Sequence, residues 1–383
     1  MDFALSEFQQ LLKEQAERFI ERDYGFEQRR AIIAAEPGFS PAHWRTFAEL
    51  GWLGLPFDEA DGGFGGTPAD LAILFEAFGR GLVVEPYLAT VLGGLAVERG
   101  GNPAQKAAIL PGLIAGTHRL ALASTETGGR PGALHVATKA RKVTGGWQLS
   151  GHKAVVLHGA SADTLVVVAR SHGAHDAPGG IGLFLVPARA YGLSRRGYAT
   201  VDGLRAAEIT LDRVELGEDA LLGDAAGGYG LLDGLLDVAA IAGCAEALGC
   251  MGALIDRTAE YLRTREQFGR RIGEFQVLQH ALVDMYMAAE QARSITLAAA
   301  LKAGAPRVET GVDAGERQRL VAAARQFCTD AGRLVGQTAV QLHGGIGVTD
   351  ELDVAHYFKR LTMLPVWFAD NGQPLDRFQA AAA

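Results

Sequence analysis

The pattern of apolar and polar positions changes character twice along the chain. From Ser6 onward, Phe8, Leu11, Leu12, Ala16, Phe19 and Ile20 recur at the three- and four-residue steps of a helix face, and Ser6 with Gln9 makes a capping-box pattern at its start. Helical spacing continues through Trp44, Phe47 and Leu50, breaks at the glycine cluster over 62–66 and resumes from Pro68 to about Phe78. No Lys-Ser or Lys-Thr of a phosphate loop follows those glycines, so the cluster reads as a surface loop. From about His118 the period shortens. Runs over 137–143 and 147–157 flank Thr144, Gly145 and Gly146, which is a hairpin signal. Further strand-like runs follow over 164–169, 181–186 and 208–216, one of them closed by Pro187, which has no N–H for a ladder. Beyond Gly227 helical periodicity returns, with Leu320, Ala324, Phe327, Ala331 and Leu334 on one stripe. The pattern predicts helices over 1–117, a β domain over 118–225 and long helices over 226–383.

Composition narrows the function classes. At 383 residues, 48% hydrophobic and 21% charged, the chain is long enough for two or three packed units. Its net charge is −8 and no predicted face carries a Lys/Arg cluster, so nucleic acid and anionic membranes gain no electrostatic support as partners. The 3 cysteines, Cys244, Cys250 and Cys328, are too few and too scattered for a disulfide framework or a zinc cluster, and they read as small buried hydrophobes in a reducing compartment. No metal site is expected. The first residues lack the basic and apolar regions of a signal peptide, and no apolar run approaches the ~18 residues needed to span a bilayer. The expected location is the cytoplasm, without membrane insertion.

Two stretches of the last region carry the chemistry. The first reads Arg265-Glu266-Gln267-Phe268-Gly269, with Gln276 seven residues beyond Gly269, and the second reads Gln341-Leu342-His343-Gly344-Gly345. An Arg fork suits a diphosphate because several fixed donors meet spread negative charge at once, and paired glycines let a backbone approach a ligand closely. With the glycine loop, the segment 147–170 and the stretch 214–224 in the same order, the chain resembles the acyl-CoA dehydrogenase family. The resemblance implies an α+β class and the acyl-CoA dehydrogenase fold: an N-terminal helical domain, a central β-barrel-like domain and a C-terminal four-helix bundle. It also implies FAD as cofactor, an acyl-CoA as substrate and an electron-transfer flavoprotein as acceptor. Under it, Arg265, Gln267, Phe268, Gln276, Gln341, Gly344 and Gly345 bind the nucleotide edge of an FAD held mainly by a neighbouring subunit.

The half that would hold the flavin ring within one subunit departs from the family pattern. Thr125 and Glu126 match its Thr-Glu-Pro-x-x-Gly-Ser-Asp loop, and Thr125 remains a cofactor-binding candidate, but the Gly-Ser step has become Arg130-Pro131, and proline offers no N–H. The Trp and Thr that line the flavin in Lys-x-Trp-Ile-Thr-Asn are replaced by Val155 and Leu157, within a stretch that runs from Lys153 to His158. The family's usual catalytic Glu falls nine residues after Arg360, on Ala369, and its alternative position falls on Ala239, which is followed by Ala240 instead of Arg. The carboxylates left as candidate bases are Asp370, beside the usual position, and Glu246, which also reads as a paired core carboxylate. His343 reads as an orienting residue beside the glycine turn, and Asp212 and Asp224 read as turn or cap residues.

Kept and lost features together resemble the small subunit of a heteromeric α2β2 enzyme of the pimeloyl-CoA or steroid side-chain type. The expected role is to complete a flavin site whose base and intact flavin loop belong to a paralogous partner. The alternatives are an active homo-oligomer with a displaced carboxylate and an inert structural member of the fold.

Overall fold

The N-terminal helices start where capping chemistry places them. In the computed structural model, which describes residues 5–128, 134–304, 314–367 and 374–381, α1 (Glu7–Asp23) begins with the reciprocal Ser6–Gln9 capping box and buries Leu12, Ala16 and Phe19. Then come α2 (Phe26–Ala34), α3 (Pro41–Glu49), α4 (Pro68–Gly81), α5 (Tyr87–Gly100) and α6 (Pro103–Ile114). Ser40, Thr67 and Asn102 cap α3, α4 and α6, each with a proline in the first turn, where its missing N–H is not needed. The buried rings of Phe47, Trp52, Phe78 and Tyr87 fill the centre of this unit, with Phe47 and Phe78 stacked at 5.2 Å.

The central sheet contains β1 (Leu120–Ala123), β2 (Lys139–Val143), β3 (Gly146–Leu157), β4 (Thr164–Arg170), β5 (Ile181–Pro187), β6 (Leu193–Ala199), β7 (Arg205–Gly217) and β8 (Leu221–Leu222). Its hydrogen-bonded order is β6-β7-β3-β2-β4-β5-β8, and β1 pairs with β4 in parallel. The expected β2–β3 hairpin is present, with Gly145 at φ 81 in its turn. Periodicity alone did not reveal β1 and β6. β1 is only four residues long and apolar throughout, so it has no alternation, and β6 is a partly exposed strand rich in polar side chains. The β3–β7 ladder slips between Lys153 and Val156, where Val155 adopts φ 52.

The long helices are α7 (Tyr229–Thr264), α8 (Gln276–Ala303), α9 (Ala314–His343) and α10 (Asp353–Trp367), with α11 (Pro374–Ala380) after them. A two-residue hairpin, β9 (Glu266–Gln267) with β10 (Arg270–Arg271), separates α7 from α8. The expectation that no apolar run reaches spanning length does not hold for α7, whose most apolar window has a mean hydropathy of 1.9; 89% of that window is buried inside the fold. α7 is thus the central core helix, apolar around its circumference because other helices surround it.

α4 crosses α7 at closest approach through a reciprocal pair of glycines. A Cβ on Gly79 would stand 2.0 Å from the carbonyl oxygen of Glu246, and one on Gly249 would stand 2.0 Å from that of Glu76. At Gly252, one turn on, the nearest atom is the end of the Arg80 side chain at 3.0 Å. Gly249→Ala is therefore expected to destabilise the protein by about 1–3 kcal/mol, as overpacked cores do. Gly252→Ala should be neutral or slightly stabilising. Thermal unfolding of the two variants checks this, and equal midpoints would refute the crossing.

Candidate functional site

The two C-terminal motifs meet at one end of the helical domain. Tyr261, one turn before Arg265, stacks on His343 at 4.5 Å and donates from its hydroxyl to the His343 carbonyl at 3.3 Å. The imidazole Nδ1 of His343 lies 2.8 Å from the carbonyl of Ala339, so this histidine is a buried positioning residue, as expected. Arg265, Gln267, Phe268, Gln276, Gln341, Gly344 and Gly345 are all exposed around this joint. Phe268 and Gly269 occupy the two central positions of the hairpin with φ 56 and φ 77, the pattern of a type I′ turn. Glycine adopts that conformation freely, whereas an aromatic residue is strained in it, and Phe268 is nonetheless 90% exposed.

Thr125 lies in the central domain, on the segment after β1, where its carbonyl accepts from the Ala154 N–H at 2.9 Å. The neighbouring Glu126 is anchored. Its carboxylate meets Lys153 Nζ at 2.5 Å and accepts from the N–H groups of Ala137 and Thr138 at 2.6 and 3.1 Å. Burial alone would push the Glu126 carboxyl up, but the Lys153 ammonium and these donors outweigh it and hold the group below its ordinary value. Val155 and Leu157 present aliphatic side chains where the family has an aromatic ring and a hydroxyl. Arg130 and Pro131 lie outside the described residues.

The base candidates separate clearly. Asp370 and Ala369 lie outside the described residues. Ala239 is buried in α7. Glu246 is buried with both oxygens engaged by Arg360, Nε to Oε1 at 2.6 Å and Nη2 to Oε2 at 2.7 Å. The third arm of Arg360 reaches Asp202 Oδ2 at 2.6 Å, in the turn between β6 and β7. Burial works against the Arg360 charge, but the two carboxylates more than offset it and raise its pKa. Glu246 is accordingly a structural ion-pair member, the paired-carboxylate reading of the sequence. Sequence periodicity placed it in the core but could not supply its partner 114 positions away.

His158 adjoins this cluster in a small cavity that Glu85, Tyr87, Leu157, Glu246 and Arg360 also line. Neither of its ring nitrogens has a hydrogen-bond partner among the described residues. Burial, followed by the nearby Arg360, Arg205 and Arg119, pushes its pKa down from 6.5 to about 3, so it is neutral in the fold.

Three family models match consecutive stretches of the chain: "Acyl-CoA dehydrogenase, N-terminal domain" over 6–117, "middle domain" over 121–214 and "C-terminal domain" over 226–368. The acyl-CoA dehydrogenase IpdE2 of Mycobacterium tuberculosis is 30% identical over 356 residues, covering 92% of this chain and 91% of that protein. The chain belongs to the acyl-CoA dehydrogenase family. The probable acyl-CoA dehydrogenase YngJ of Bacillus subtilis is 28% identical over 372 residues, 96% of this chain and 95% of that one. Among solved structures, the ChsE4-ChsE5 complex from Mycobacterium tuberculosis matches with a TM-score of 0.86 at 26% identity, covering 100% of this chain and 98% of that chain. Butyryl-CoA dehydrogenase from Megasphaera elsdenii matches with a TM-score of 0.88 at 25% identity, covering 100% of both chains. The family catalyses flavin-dependent dehydrogenation.

The fit to FAD differs between the two half-sites of this chain. At the hairpin end, Arg265 is exposed and has no side-chain partner among the described residues, and no atom lies within 4 Å of where a Cβ on Gly344 or Gly345 would stand. Free donors and an open backbone there fit a diphosphate. In the central domain, Glu126 and Lys153 satisfy each other, and positions 155 and 157 offer neither ring nor hydroxyl.

Two outcomes follow. Glu246→Ala should cost about 3–5 kcal/mol because it leaves two arms of the buried Arg360 without their carboxylate, Asp202 alone remaining, measurable by denaturant unfolding; a loss below about 1 kcal/mol would remove the pair from its structural role. For His158 the depressed pKa means that the unfolded chain binds a proton the fold does not, so its contribution is complete above pH 6.5 and is lost as pH falls toward about 3. His158→Asn, which tolerates the φ of 51 at this position, should flatten the fall in melting temperature between pH 6.5 and 5. An unchanged slope would exclude His158 as its source.

Proposed function

We propose that this chain is the flavin-complementing, non-catalytic subunit of a heteromeric α2β2 acyl-CoA dehydrogenase. The complex would act in the cytoplasm on an acyl-CoA, forming a 2-enoyl-CoA and passing electrons to an electron-transfer flavoprotein. The observation that carries this reading is the contrast between the two half-sites. The nucleotide edge, with Arg265, Gln267, Phe268, Gln276, Gln341, Gly344 and Gly345, is exposed and open, whereas Glu126 is tied down and Glu246 is consumed by Arg360. A partner chain would supply the base and the flavin loop; Thr125 then serves mainly through its backbone contact with Ala154. Two similar structures support a two-component assembly by their names: the ChsE4-ChsE5 complex, and a variant of the Tcur3481-Tcur3483 steroid ACAD, which is 31% identical to this chain with a TM-score of 0.85.

The chain purified alone should hold no stoichiometric FAD and should not turn over an acyl-CoA with an artificial acceptor. Co-expression with a paralogue that carries an intact flavin loop should restore both. Stoichiometric FAD with turnover in the isolated chain would sink the heteromeric reading, and no gain from any paralogue would leave an inert member of the fold. In the assembled complex, Arg265→Ala should weaken FAD retention by roughly tenfold or more, as loss of a charge-assisted diphosphate contact does. FAD absorbance after gel filtration reads this directly, and unchanged occupancy would remove Arg265 from the site.

A further inference from the structure

The linear pattern places no basic cluster on any face, yet the fold assembles one. A groove of about 460 Å³ lies wholly within the central domain, between Lys139, Arg141, Lys142 and Trp147 on the β2–β3 hairpin and His172 and His175 in the loop after β4. No acidic side chain lines it among the described residues. It exists because β2 pairs with β4 at a single position, Lys139 opposite Arg170; beyond that point β2 continues past the end of β4 and faces the loop over 171–180.

The back of the groove is charged and rigid. Arg170 is only 5% exposed, and its guanidinium donates to the carbonyls of Val136, His172, His175, Ala177 and Gly179 at 2.6–3.3 Å. No carboxylate among the described residues forms an ion pair with it. Its charge is met by carbonyl dipoles and, from farther off, by Asp176 and Glu126, and the low-dielectric walls focus the positive potential that remains into the groove. The same bonds hold the loop in one shape, so a ligand would meet a preformed wall. The Trp147 indole forms part of the floor, with Lys142 Nζ 4.8 Å from its ring centroid. Lys142 also lies 3.1 Å from Glu218 and Arg141 donates to Gln148 at 3.0 Å, so the Lys139 ammonium and the two exposed histidine rings are the groups most free to turn toward a ligand.

We propose that this groove binds a small phosphate-bearing anion at a site separate from both the flavin edge and the thioester substrate. Donors converge on it from two walls, which suits a tetrahedral group with acceptors in several directions better than a planar carboxylate. Its volume lies within the range of about 300–1,000 Å³ typical of small-molecule sites. No residue of the hairpin end or of the Glu246–Arg360 cluster lines it. Ala137, which does line it, donates its N–H to Glu126, so an occupant would act on the segment that carries Thr125.

Calorimetric titration of the purified full chain with inorganic pyrophosphate at about 0.15 M salt, where exposed charges are screened beyond ~8 Å, tests this. The expected result is saturable binding at one site per chain. Lys139→Glu combined with His172→Glu should weaken it by at least about tenfold, whereas Lys13→Glu, on the surface of α1, should leave it unchanged. Equal melting temperatures in all three proteins would establish that folding is intact. Absence of saturable binding, or equal affinity in the double variant, would overturn the site. Displacement of pyrophosphate by coenzyme A would overturn its separateness from the substrate.

Discussion

The arrangement of the three structural regions depends on one buried cation. Arg360 on α10 is held by Glu246 on α7 and by Asp202 from the turn between β6 and β7. Beside it, the buried Arg29 of α2 donates to the carbonyls of Asp202 and Leu82 at 2.7 and 2.8 Å and lies 3.1 Å from His356 Nδ1. N-terminal helices, sheet and C-terminal helices thus meet at a single charge network, away from solvent. Such a network gains little over a well-packed apolar substitute, but it is costly to break, because any member left alone keeps a desolvated charge. It therefore fixes the relative placement of the domains more than it adds stability. The placement of the hairpin and the glycine turn relative to the central sheet follows from it.

That constraint also accounts for two residues whose letters survive while their surroundings have changed. Glu246 and Glu126 are both carboxylates in places where an acyl-CoA dehydrogenase could use one, and both are fully engaged within the chain. The Glu126 carboxylate, held by an ammonium and two N–H groups, has its charged form stabilised, which makes it a poor proton acceptor, and both Glu246 oxygens are occupied by the Arg360 fork. The Lys153–Glu126 pair further pins the segment after β1 to β3 beside the slipped ladder at Val155. What remains of the flavin loop among the described residues is a structural brace.

Much of this was legible before any coordinates. Ser6 with Gln9, the proline-led start of α4 and the Gly145 turn are local signals, and local signals fix local geometry. The family's order of motifs supplied the fold and the residues of the proposed flavin edge. What escaped were pairings between distant positions: Arg360 with Glu246, Lys153 with Glu126, and the stack of Tyr261 on His343. None leaves a periodic trace, since each partner satisfies only its own element's pattern. The basic groove escaped for the same reason, because its two walls come from separate stretches of chain. The length of α7's apolar face misled in the other direction, since a helix enclosed by a protein core and one enclosed by lipid share a composition.

Phe268 bears on the choice among the three functional readings. An aromatic residue in a left-handed turn position is strained by the order of 1 kcal/mol or more, and 90% exposure forgoes the ~2 kcal/mol that burying its ring would return. In an isolated chain neither term is recovered, and among the described residues the ring's aromatic contact is an edge contact with Phe275 at 6.1 Å. An inert scaffold has no use for that conformation, since Asn or Gly at the same position would relieve the strain. A surface that closes over the hairpin recovers the burial term and gives the strained turn a purpose, because it aims the ring outward beside Arg265. Both the homo-oligomeric and the heteromeric arrangements supply such a surface. Only in the heteromeric one does the surface also bring the flavin-lining ring and the base that this chain's own positions 155 and 239 lack.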